Sequence, residues 1–222
     1  VRADLLATHD SDKEVETDLQ TPWGVKLLSG GVLYKNIGYY FYFYISERGE
    51  VAGIEDAYIH FNNLFGKEFD IMVGQFQTSD PLMKRELRLT IEDYEIYKKH
   101  IGASGTNLAY DRGVMLTYGI AKTGTDLVAM IVNGNGIPEA GTNLVYDSDK
   151  YKNFGLRVTQ GIGEIASIGG FYYYGKETIS HQLNGFNQYS GTNEVTYLGP
   201  DVNVGLGKFE FTGQYLMRMD SE

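Results

Sequence analysis

The residues able to do chemistry in this chain are charged side chains at alternating positions of β-prone runs, and they form no catalytic set. Asp56, Asp70, Arg157, Glu210 and Arg218 are expected on the polar parity of their strands, and together with His60 and Asp201 they are the residues expected to line a pore. Such residues can line a wet surface with fixed charge. A second charged group, Lys84, Arg85, Glu86 and Arg88, sits in an insertion at 77–109. Folded into the mouth of a channel it would constrict the passage and set a transverse field; the plain reading is an outer loop with solvated charge. His9, His60, His100 and His181 are scattered, without the spacing that binds a metal. Asp10-Ser11-Asp12 and Asp147-Ser148-Asp149 do not continue as calcium loops and read as solvated acidic turns. Gly102–Gly105 lacks the frame of a nucleophile elbow. Gly161–Ala166 matches a dinucleotide fingerprint, but β-like sequence follows where that site needs a helix. No enzyme, metal or cofactor is expected.

The elements that must position these residues are strands. Ile54 to Phe76 reads as one hairpin. Ala57, Ile59 and Phe61 share a face against Asp56, Tyr58, His60 and Asn62. Phe69, Ile71 and Val73 then share a face against Asp70, Met72, Gly74 and Phe76. Period two is the mark of a strand between two environments. The same alternation recurs over Ile37–Ser46, Tyr110–Ile120, Tyr151–Gln160 and Lys208–Arg218. In 77–109, Met83, Leu87, Ile91, Tyr94, Tyr97 and Ile101 recur at helical spacing, which predicts an ordered insertion with some helix.

Composition agrees with an all-β chain. Tyr (18), Phe (11) and Gly (28) are abundant in 222 residues while Pro is scarce at 4, which favours pleated structure and tight turns. Net charge is -10, which argues against nucleic acid as a partner. The absence of Cys excludes disulfides and covalent haem attachment within the chain. No apolar run is long enough for a transmembrane helix. No leader is visible after Val1, so the chain reads as mature or fragmentary.

Connections alternate in length. Those near 34–36, 63–67, 121–125, 161–164 and 206–207 are tight; those at 47–53, 77–109, 133–150 and 176–193 are longer. A meander of this kind gathers its long loops at one rim, as outer-membrane barrels do. Strands of about 8–11 residues are also near the length a tilted strand needs to cross a bilayer.

Three phrases carry a resemblance. Arg85–Lys98 (RELRLTIEDYEIYK), Asn107–Gly119 (NLAYDRGVMLTYG) and Val132–Gly136 (VNGNG) resemble porin-like outer-membrane barrel proteins of Gram-negative-type bacteria, some of whose relatives accompany or carry c-type haem. The resemblance implies a transmembrane up-and-down β-barrel of about 10–12 strands in one domain, 1–222. It would lie in the outer membrane, with the bilayer, small hydrophilic solutes and identical subunits as partners. The ending MRMDSE departs from the usual terminal strand, so a further C-terminal strand is expected beyond the chain. Three functions stay open: a passive channel, a barrel sheathing a multihaem c-type cytochrome, and a secreted soluble β-sandwich that binds ligand through its loops.

Overall fold

The computed structural model describes residues 1–51, 53–83, 93–140, 144–183 and 186–221, with backbone alone for 180–183 and 186–190. The described residues form one antiparallel sheet of twelve strands. β1 (Arg2–His9), β2 (Thr17–Tyr34), β3 (Ile37–Glu47), β4 (Gly53–Phe61) and β5 (Phe69–Gln77) precede the insertion, in which a single turn of helix, α1, spans Glu95–Lys98. After it come β6 (Tyr110–Ile120), β7 (Thr125–Val132), β8 (Asn153–Ile162), β9 (Ala166–Leu183), β10 (Phe186–Leu206), β11 (Phe209–Gln214) and β12 (Met217–Asp220). Each strand pairs with the next in sequence up to β11; β12 pairs with β10.

The tight connections work because their residues accept left-handed backbone. Lys35 sits at φ 38 between β2 and β3, Asn63 and Phe65 at φ 51 and 58 between β4 and β5, and Gly124, Gly163 and Gly207 close the later hairpins. These are the conformations two-residue and bulged hairpin turns require. The described residues of 176–193, expected as a loop, are instead the paired continuation of β9 and β10, with Thr178 opposite Thr192 and Glu177 opposite Asn193. Their two faces differ in burial, Glu177, Ile179 and Asn193 being buried and Thr178 and Thr192 exposed, but polar residues stand on both, so hydrophobic alternation gives no signal there.

The sheet does not close. Among the described residues β1 bonds only to β2, and β11 only to β10, so the first and last members of the meander leave free edges. This corrects the barrel. The antiparallel meander is present, but a barrel also needs its terminal strands to bond to each other. Alternation and hairpin rhythm are the same in an open meander and in a closed wall, which is why they misled. Without closure there is no lumen for solutes or for a cytochrome. An open edge cannot lie in hydrocarbon either, because its unpaired N–H and C=O groups would find no partner. The transmembrane porin, the family resemblance, the bilayer partner and the outer-membrane placement are therefore withdrawn. No helix among the described residues is long and apolar enough to cross a membrane.

The two faces of the sheet differ. One, here the inner face, packs on the insertion. Phe76, Met115, Met130, Val132, Phe171, Tyr173, Val195 and Tyr197 converge from β5–β10 on Tyr97 and Leu108 of that segment. The insertion is tied to the sheet by backbone bonds, Ser79 N donating to Leu108 O at 3.1 Å and Leu108 N to Tyr97 O at 2.7 Å. The other face is apolar and open. Leu116, Leu156 and Phe211 are 37%, 47% and 63% exposed, and no second sheet among the described residues covers them.

Candidate binding groove

The open face carries a depression over β8–β11. Val158 of β8, Gly170 of β9 and Pro200 of β10 stand side by side in the ladder, as do Gln160, Ile168, Val202 and Gly213 from β8 to β11. Gly170 has no side chain, and a Cβ placed on it would meet nothing within 4 Å. A missing side chain in an otherwise filled row leaves a trough. Val158, Ile168, Pro200, Val202 and Tyr215 wall it, and its volume is about 750 Å³. Gln160 closes it towards the turns, held by its amide donating to Thr123 O at 2.7 Å and accepting from Thr125 Oγ1 at 2.7 Å. Tyr215 adds an exposed phenol.

The floor is fixed from beneath. Arg157 of β8 reaches over β9 to Asp201 of β10, Nη2 to Oδ1 at 2.5 Å and Nε to Oδ2 at 3.3 Å. The crossing is possible because Gly169 lies between: its Cβ would fall 2.6 Å from the Asp201 carboxylate. Both charged groups are mostly shielded, so this bidentate pair is stronger than a surface ion pair and clamps three strands in one plane. An apolar concavity of this size with few polar groups is the usual form of a small-molecule site.

The remaining residues proposed from sequence fall on the inner parity without forming one cluster. His60 and Asp70 approach to 3.8 Å on β4 and β5. Asp56 is buried opposite Tyr42. Glu210 accepts from Asn203 at 3.1 Å near the short turns. Arg218 belongs instead to a buried polar latch. Its Nη1 donates to Lys99 O (2.8 Å), Thr106 O (2.9 Å) and Tyr197 Oη (2.8 Å), and its Nε and Nη2 to Asp220 (2.7 and 2.8 Å). Beside it Glu177 accepts from Ser104 Oγ, from the N–H groups of Gly105 (2.8 Å) and Thr106 (3.2 Å), and from Asn193 Nδ2 (3.0 Å). The two charges bind the insertion to β9, β10 and β12. Lys84, Arg85, Glu86 and Arg88, the expected constriction, lie outside the described residues.

Asp111 at the start of β6 anchors the loop after β7. It accepts from Gly134 N and from Arg112 N, both at 2.7 Å. Burial raises its carboxyl to about 7, although these backbone donors oppose the rise. Burial likewise lifts Tyr97 to about 12 and pushes Tyr173 higher still. Tyr97 Oη donates to Gln214 Oε1, joining the insertion to the inner side of β11. Asn153 completes this end, wedged where a Cβ on Gly134 or Gly175 would fall within 2.4 Å of it.

Sequence reasoning missed the groove and the latch. Gly169-Gly170 inside a strand, with Pro200 in the next, was the available signal, since glycine within a strand often marks close approach. Glu177 had none, because its segment reads as a loop. No family model, no curated protein and no solved structure matches the chain.

Proposed function

We propose that the chain is a non-catalytic binding protein that takes an elongated apolar small molecule into the groove over β8–β11. One observation carries the reading: an apolar trough of about 750 Å³ is left where Gly170 interrupts a filled row, and the Arg157–Asp201 clamp makes its floor rigid. A preformed apolar site gains affinity by removing ligand surface from water at about 25 cal/mol per Å², and it loses little to reordering. Tyr215 offers a hydroxyl that can orient one polar group of the ligand. No bond is made or broken.

Nile red, an apolar dye that brightens on leaving water, tests this directly. Gly170→Leu fills the trough from a position with free space, so the fold is kept. Saturable dye binding by the parent chain and its loss in the variant, with unchanged circular dichroism and melting, is the expected result. Equal binding by both proteins would reject the groove as the site.

A further inference from the structure

We propose a second, separate binding site at the opposite end of the sheet, built around Trp23, that takes a neutral pyranose sugar. Between the pairs Asp4–Gly24 and Leu6–Gln20, residues Thr21, Pro22 and Trp23 stand against Leu5 alone. The extra residues bulge β2 out of the ladder, and bulges at a sheet rim re-aim side chains. Trp23 is thereby presented at a pocket of about 470 Å³, lined also by Asp18, Gln20, Ser46 and Arg48.

The turn facing it is unusual. Glu47 and Glu50 exchange backbone bonds of 2.7 and 2.9 Å around Arg48 (φ 52) and Gly49 (φ 86). Two central residues at positive φ define a turn that favours Asn-Gly or Gly-Gly. Arginine in the first of these positions is strained. What it achieves there is contact: Arg48 N donates to Trp23 O at 2.8 Å, and the guanidinium lies 5.6 Å from the indole centroid. Gln20 Nε2 donates to Asp18 Oδ2 at 2.7 Å, which orients the amide and carboxylate together.

The pocket therefore pairs one large aromatic surface with planar hydrogen-bonding groups: a guanidinium, a carboxylate and an amide. A pyranose presents the complementary chemistry, with C–H groups on one face and hydroxyls around its rim that donate and accept. The volume suits one or two sugar rings. An anion is disfavoured, since the Asp18 carboxylate shares the pocket with Arg48, and an organic cation would compete with Arg48 for the indole.

Trp23 is the sole tryptophan, so indole emission of the full chain, excited to the red of the tyrosine band, reports this pocket alone. Maltose and cellobiose are titrated, with sodium phosphate and choline chloride as comparators. A saturable change with at least one disaccharide and none with the comparators is expected. Arg48→Gly relaxes the turn and keeps the fold, and Asp18→Asn removes only charge and acceptor capacity. Either should weaken sugar binding about tenfold or more, the effect of losing a charge-assisted hydrogen bond. Emission unmoved by both sugars, a response to phosphate or choline alone, or full sugar affinity in Arg48→Gly would each overturn the site.

Discussion

The two faces of this sheet use the same alternating strands and reach opposite outcomes. On the inner face the polar parity carries Glu177, Asn153, Asp111 and Arg218, yet these side chains are buried: groups of the insertion bond Glu177 and Arg218, and the backbone of β6, of the loop after β7 and of β9 bonds Asp111 and Asn153. On the outer face the apolar parity carries Leu116, Leu156, Val158 and Phe211, yet these stay exposed. Burial here follows where a second layer lands, not which residues are greasy. A buried ion needs a full set of partners, and for Glu177 and Arg218 the insertion supplies several of them with backbone groups and the Ser104 hydroxyl.

The comparison breaks most visibly at the latch. Arg218→Ala takes two charge-assisted donors from the shielded Asp220 carboxylate and unties Lys99 and Thr106 of the insertion, and should cost about 3–5 kcal/mol in denaturant unfolding. Next, Met130→Ala on the inner face should cost about 2–5 kcal/mol, whereas Leu156→Ala, directly outside on β8, should stay within about 1 kcal/mol. Equal losses would mean that the outer face is covered after all.

The third effect is pH-dependent. Burial lifts Asp111 to about 7 in the folded chain, against 3.8 as the ordinary value. Between these values the folded state holds a proton that the unfolded state has released. Stability should therefore fall as pH rises from 3.8 towards about 7, and the penalty is complete above that. Melting profiles of Asp111→Asn should be flatter over this window. A parent profile that rises with pH there would contradict a desolvated Asp111, unless other carboxylates dominate, and the variant separates the two. The smallest loss is expected for Tyr97→Phe, about 1 kcal/mol for its bond to Gln214.

The strands were legible because period two is local. Ile54–Phe76, Tyr110–Ile120 and Tyr151–Gln160 show their two environments in the sequence. The polar parity of Asp56, Asp70, Arg157, Glu210 and Arg218 within their own strands is local in the same way, but the pore that they, His60 and Asp201 were expected to line needs a closed wall that the open sheet does not make. The groove was not, since it depends on Gly170 standing between Val158 and Pro200, residues far apart in the chain. Nor was the latch, which needs Ser104 and Thr106 of the insertion to meet Glu177 and Arg218.

By itself the sequence determined the all-β antiparallel meander and the residues sharing each face, since turn chemistry and side-chain alternation act between near neighbours. Only the tertiary structure decided that the sheet stays open and that the polar face becomes the core. It also decided that a glycine gap becomes a groove. Closure depends on whether β1 and β11 meet, and burial on where residues 93–109 settle, and neither distance is written in any local pattern.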